Sequence, residues 1–364
     1  MTQPQTPSPT NGLDLDLSDT HEPYAPSLLG AQDTHMTLDP AMPGKQHGHL
    51  ILPYTNHAGA AQLRVPVCSI RGQQPGPTVV LIAGIHGDEY EGPLTLHRMA
   101  QELTAEMVHG CLLIVPAANG PGLKTGRRCL PDGTQDLDQC FPGSATGSLG
   151  DRLAYELFER LIRAADLVLD LRSGGQKLQF SPLAAVRFMG VSLHRSQERQ
   201  QASEAAMIAF GAPNSVRFQA SRAGSCLQAA VEAAGKAYVQ SELGGGAGCS
   251  VGTLQVAEIG CLNVLSSMGV LKREVELRAT RMLEVPDSSF YVYADRHGML
   301  EPQARLGQEV WQGDVLLRLV ELENSGSQAH EVAVPRNSIL LALHHGGMVR
   351  PGDLLAILAD EVQR

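Results

Sequence analysis

Four short stretches of this chain are near-continuous apolar runs, and three of them run straight into glycine-flanked clusters of charged residues. They are TVVLIAG at 78–84, CLLIVPA at 111–117, DLVLDL at 166–171 and AYVQS at 237–241. A strand that is apolar at consecutive positions has to be covered on both faces, the situation of a central strand in a parallel sheet. Residues 91–108, 149–165 and 224–234 carry apolar residues three and four apart, which predicts helices there. Two shorter strands are expected at 49–54 and 63–70, with ordered structure starting near Gly48. Strands alternating with helices give an α/β fold, a mostly parallel mixed sheet flanked by helices. In such sheets ligands collect beyond the carboxyl ends of the strands, so the chemistry is expected just after each run.

At 364 residues the chain is long enough for about two domains. Residues 1–40 are rich in Pro, Thr, Ser and Asp with no apolar period and are expected to be a flexible leader. Residues 41–285 hold the α/β pattern of a catalytic-type domain, and 286–364 turn β-rich with an internal echo. Gly307-Gln-Glu-Val310-Trp-Gln-Gly313-Asp314 recurs as Gly346-Gly-Met-Val349-Arg-Pro-Gly352-Asp353, each copy followed by an apolar strand. This smaller C-terminal region resembles the small β-barrel of biotinyl and lipoyl carrier domains. Neither turn has a lysine to carry a prosthetic group, so the region reads as structural, or as a wall over a cleft.

Composition narrows the partners. With 28 Lys and Arg against 38 Asp and Glu, the net charge of −10 repels phosphate backbones and anionic membranes, which argues against nucleic acid and membrane partners. No apolar run approaches the roughly 20 residues that cross a bilayer, and the N-terminal residues lack a signal-peptide pattern, so a cytoplasmic location is expected. The 7 cysteines are scattered without a CxxC pair, which argues against a thiolate metal site and a disulfide framework. A small-molecule substrate fits this chain, and a homo-oligomer is compatible with it.

The chemistry-bearing residues sit where the strands end. In Gly84-Ile-His86-Gly-Asp-Glu89-Tyr-Glu91-Gly-Pro93, a histidine and a glutamate three apart can aim an imidazole nitrogen and a carboxylate at one point, a pairing that suits zinc. The flanking Gly84 and Gly87 permit the tight backbone. Further strand ends carry Asp170-Leu-Arg172-Ser173-Gly-Gly175 and Ser241-Glu242-Leu-Gly-Gly-Gly246. Glu242 can take a proton from water and hand it to a leaving amine. The loop 126–143 is dense in Pro, Gly and charge, and an arginine in it could steady the oxyanion of a tetrahedral intermediate. Cys140 in the same loop is a weaker candidate, as a nucleophile.

Taken together, GIHGDEYEGP, RRCLPDGTQDLDQCFPG, DLRSGG and SELGGG resemble the four site segments of the succinylglutamate desuccinylase and aspartoacylase family, which has the zinc carboxypeptidase-like fold. The stretches GKQHGHLILPY and HGDEYEGP are most similar to its N-acetyl-diaminobutyrate deacetylase branch. The resemblance runs from roughly Lys45 to the last residue. It implies a zinc-dependent hydrolase that deacylates an N-acyl amino acid or related linear amide. It places His86 and Glu89 at the first two zinc-ligand positions, Glu242 at the general base and acid, and Arg128 at the arginine that polarises the scissile carbonyl.

The chain also departs from the family pattern. Where the family reads DLHSGG, with histidine as third zinc ligand, this chain has Arg172, and a guanidinium offers only donors. Where the family reads D-L-N-R-x-F-P-G, with Asn and Arg holding the substrate carboxylate, this chain has Asp138 and Gln139. The substrate pocket at 138 and 139 is thereby two charges more negative, which favours an amine over an anion. Asp170 is expected to support His86, and Arg172 to make a charge-assisted contact with Glu89, Asp138 or both in place of a metal. The alternative to a zinc hydrolase is therefore a catalytically degenerate paralogue that binds a small ligand or regulates a related enzyme.

Overall fold

The long hairpin that opens the fold follows from alternation in the sequence: on Gly59–Arg71, Leu63, Val65 and Val67 are buried while Gln62, Arg64 and Pro66 face outward or sit half-covered. In the computed structural model, which describes residues 34–362 apart from 57–58, 131–134, 190–196, 221–225 and 277, this is strand β3. The chain order is β1 (His35–Met36), β2 (Gly44–Asn56), β3, β4 (Gln74–Ala83), α1 (Glu91–Glu102), β5 (His109–Val115), α2 (Gly120–Thr125), α3 (Leu137–Cys140) and α4 (Leu149–Leu157). There follow β6 (Leu167–Arg172), β7 (Leu178–Phe180), β8 (Leu183–Met189), α5 (Gln197–Phe210), β9 (Asn214–Ala220), α6 (Leu227–Ala233), β10 (Ala237–Glu242), α7 (Val251–Ser267) and β11 (Arg281–Val285). After a single 3-10 turn over Ser288–Phe290 the C-terminal part is made of strands: β12 (Tyr291–Tyr293), β13 (Gly298–Pro302), β14 (Glu309–Val310), β15 (Val315–Val320), β16 (His330–Ala333), β17 (Ser338–His344), β18 (Met348–Val349) and β19 (Leu354–Glu361).

The expected mixed sheet is present. β5, β4, β6 and β10 lie side by side and parallel; β3 flanks them antiparallel at one side and β8 at the other, with β9 parallel to β8. Val79, Leu81 and Ala83 of β4 pack into the core beneath α1, α5 and α7, while Val80 and Ile82 pack into a second core beneath α4 and α6. All five are fully buried, which is why the strand reads as a continuous apolar run.

Some boundaries differ from the periodic reading. α1 stops at Glu102 because Leu103 is extended, and a single 3-10 turn over Ala105–Met107 leads into β5. The stretch expected as one helix from 149 is α4 followed by a π turn over Phe158–Ile162, with a Ser148–Asp151 capping box at its start. Order begins well before Gly48: β1 pairs His35 with Ile51, and Thr37 N donates to His49 O at 2.9 Å. The rest of the expected leader, residues 1–33, lies outside the described residues, as do residues 224–225 at the expected start of α6.

The C-terminal strands are hydrogen-bonded to the main sheet across residue 285. β11 pairs parallel with β9 and antiparallel with β19, and β17 pairs with both β19 and β7. β13, β15, β16 and β18 form a separate four-stranded antiparallel sheet. The sequence echo is a repeated turn: Trp311 N donates to Asp314 Oδ2 at 3.3 Å, and Arg350 N donates to Asp353 Oδ2 at 2.9 Å. The preceding Gly313 and Gly352 both have φ near +90°. Among the described residues no helix is long and apolar enough to cross a membrane.

Candidate active site

The turn after β4 is built to hold other loops in place. Gly84 has φ +65°, and a Cβ on Gly87 would lie 2.1 Å from the Gly122 carbonyl carbon, so neither accepts a side chain cheaply. The three acids that follow accept backbone N–H groups from the loops beyond β6 and β10. Asp88 takes Gln176 N at 3.0 Å, Glu89 takes Ser173 N at 3.0 Å, and Glu91 takes Gly245 N at 3.2 Å. One motif thereby makes three ties to the ends of β6 and β10, and Gly87 N adds a fourth by donating to Arg128 O at 3.2 Å.

The floor of the site is one face of the sheet. Asp170 and Arg172 on β6 pair in register with Gln240 and Glu242 on β10, so all four side chains project to one side along with Tyr238. Arg172, 8 % exposed, donates through Nε to Asp170 Oδ2 at 2.5 Å and through both terminal nitrogens to Asp138, at 2.6 and 3.1 Å. Tyr238 OH donates to Asp170 at 2.7 Å, and Leu227 N to Asp138 at 3.1 Å. Burial opposes the Asp138 charge, but Arg172 outweighs it and holds the carboxyl down at about 2. Burial dominates at the fully enclosed Asp170, whose pKa moves upward despite Arg172.

Arg172 thus pairs with Asp138, as the charge argument expects, but its second carboxylate is Asp170 and not Glu89. Asp170 does not support His86; it lies on the face of β6 occupied by Arg172, and the five-donor guanidinium spans it and Asp138 together. The negative charge introduced at Asp138 is accordingly paired with Arg172 within the protein.

His86 belongs to a second cluster. Its Nδ1 meets Glu89 Oε1 at 2.6 Å and its Nε2 meets Asp136 Oδ1 at 3.0 Å, while Arg128 Nε donates to Asp136 Oδ2 at 3.0 Å. Burial disfavours a charged imidazole, yet Glu89 and Asp136 together raise His86 to about 9, so at neutral pH it donates through both nitrogens. Burial likewise resists ionisation of Asp136, but His86 and Arg128 hold that carboxyl well below the usual range. Arg128 is half exposed, with its NH1 3.8 Å from Glu89.

These groups line one cavity of about 360 Å³, which takes in His86, Glu89, Arg128, Asp138, Arg172 and Glu242. Glu242 accepts from Gln240 Nε2 at 3.1 Å through Oε1, and its buried Oε2 has no partner. Burial, reinforced by the Glu89 charge, pushes its pKa up to about 8. Gln139 does not join the cavity. Asp136 caps the single turn of α3 and Asp138 faces the site, so the next residue is rotated outward and Gln139 is exposed. Cys140 is also absent from the lining; its thiol donates to Asp136 O.

Sequence reasoning passed over Asp136, which reads as an ordinary helix cap, and over Arg187, Phe218 and Tyr291, which also line the cavity. Tyr291 and Ile357 bring the C-terminal region over the cleft, as its reading as a wall implies. The usable signal for Arg187 is a charged residue inside the otherwise apolar 183–189 run.

The donor set does not fit a catalytic zinc. Both nitrogens of His86 face carboxylates, both oxygens of Glu89 are engaged, and the third position holds a guanidinium tied to two acids. Among the described residues no group of three His, Cys, Asp or Glu is arranged to hold a metal. His57 and His194, which the sequence alone could not place, lie outside the described residues.

Residues 75–268 match the family model described as the succinylglutamate desuccinylase/aspartoacylase catalytic domain. The chain belongs to this family. It is 35 % identical, over 86 % of its length and 91 % of the relative's, to an N-alpha-acetyl-L-2,4-diaminobutyric acid deacetylase of Halomonas elongata. The product-bound structure of the ectoine utilization protein EutE of Ruegeria pomeroyi superposes with TM-score 0.85 at 34 % identity, covering 90 % of this chain and 99 % of that one. A succinylglutamate desuccinylase of a Silicibacter species gives TM-score 0.86 at 32 % identity, with 91 % and 100 % covered. The family is one of hydrolases acting on acylated amino acids, and this member carries the family's architecture through to its C-terminal strands.

Proposed function

We propose that this chain hydrolyses the amide of an N-acylated amino acid, with an N-acetylated diamino acid as the leading substrate. The observation that carries the reading is Glu242: a buried carboxyl with one unpartnered oxygen, lining the same cavity as the half-exposed Arg128. In its ionised form Glu242 takes a proton from a water, whose oxygen attacks the amide carbonyl. Arg128 stabilises the charge that develops on the carbonyl oxygen. The proton held by Glu242 then passes to the departing nitrogen as the C–N bond breaks, leaving a carboxylic acid and an amine. Similarity over most of both chains to a diaminobutyrate deacetylase supports this substrate class. Because the residues at the metal positions are saturated by one another, the proposed steps use protein groups alone.

The lock of Arg172 on Asp138 and Asp170 favours a second reading, a ligand-binding member without turnover. Incubating purified protein with N-acetyl-2,4-diaminobutyrate and following acetate release, with and without a chelator, separates the two. Chelator-insensitive release is expected. Binding of the compound with no release, in the presence or absence of added zinc, would establish the second reading.

A further inference from the structure

Three arginines line the cavity, and two of them are committed: Arg128 to Asp136, and Arg172 to Asp138 and Asp170. Arg187 is different. It has no acidic partner among the described residues, although its half-buried side chain lines the same cavity. A guanidinium partly withdrawn from water without a direct ion pair is costly to keep unless something regularly supplies one.

The surroundings hold it in place. Arg187 lies on β8 opposite Phe218 of β9, with its guanidinium carbon 5.0 Å from the ring centroid, a cation–π contact that holds the side chain without using a hydrogen-bond donor. Its backbone carbonyl accepts from Gln228 Nε2 at 3.0 Å, tying the strand to α6. Ala185, two residues earlier on the same face, pairs with Gln240, so Arg187 projects into the side of the sheet that carries Glu242. Its charge is felt by both Glu242 and Tyr291, which line the cavity with it. Gln139, at the position where the family pattern has an arginine, is exposed and outside the cavity.

We propose that Arg187 is the substrate-carboxylate anchor of this site, a stacked guanidinium that pairs with a carboxylate of the bound amino acid and so selects acidic over neutral amides. The assignment rests on the hydrolase reading for its substrate class. The test uses E242Q protein, in which the ligand is not consumed, with N-acetyl-2,4-diaminobutyrate and its carboxamide as probes in calorimetric titration. The carboxylate is expected to bind about 10- to 100-fold more tightly than the carboxamide, the range of a charge-assisted pair. Adding R187Q should erase that preference to within about twofold, and R187K should retain part of it. A preference that survives R187Q, or no binding of either probe by E242Q and wild type, overturns the proposal. If wild type shows the Arg187-dependent preference but releases no acetate, the hydrolase reading fails and the anchor stands.

Discussion

At the scale of single residues, positions 138 and 172 act as one unit. Removing the guanidinium alone leaves Asp138 and Asp170 facing each other across a buried gap, so Arg172→Ala should lose about 3–5 kcal/mol in denaturant unfolding. Arg172→His with Asp138→Asn removes the cation and one of its two acid partners together and adds an imidazole. That double variant should bind zinc more tightly than wild type in a metal titration; an unchanged affinity in a folded protein would show that position 172 does not face His86 and Glu89. Glu242 gives a prediction with a sign. Its folded pKa of about 8 lies above its ordinary 4.5, so the folded state keeps a proton that the unfolded chain loses between those values. Its contribution to stability is therefore full below about pH 4.5 and lost as pH rises to about 8. Glu242→Gln should raise the melting temperature relative to wild type at pH 8.5 and leave it nearly unchanged at pH 4.5. The catalytic consequence runs the other way: only ionised Glu242 can act as base, so the rate should climb with pH toward a plateau above about 8.

At the scale of elements, the sequence is most legible where burial is complete. Strands such as β4 and β5 are apolar on both faces, and Leu81→Ala should cost about 2–5 kcal/mol by opening a cavity under α1. The site is legible for the same reason: Asp170, Arg172, Gln240 and Glu242 stand at period two inside strands that are otherwise apolar, and polar residues there have to meet one another. What the strands do not reveal is which acid meets which base. Asp170 and Asp138 are equally plausible partners for several cations until the register of β6 against β10 and the turn of α3 are known. Helix ends are less legible, because the π turn after α4 and the early stop of α1 follow from packing and not from periodicity.

At the scale of the molecule, the pairing of β11 with β19 and of β17 with β7 is invisible in the sequence, since it joins segments far apart with no shared pattern. It matters because it seats Tyr291 and Ile357 on the cavity. Tyr291→Ala should weaken substrate binding while leaving the melting temperature within a few degrees, which paired rate and melting measurements would show; a collapse of stability would make the tyrosine a packing residue instead. The account as a whole turns on a carboxyl buried at the end of β10 doing the proton transfer. The most direct measurement is acetate release from N-acetyl-2,4-diaminobutyrate by wild type and by Glu242→Gln under identical conditions. The account predicts measurable release by wild type and a loss of about 100-fold or more in the variant. Equal release by the two proteins would contradict it.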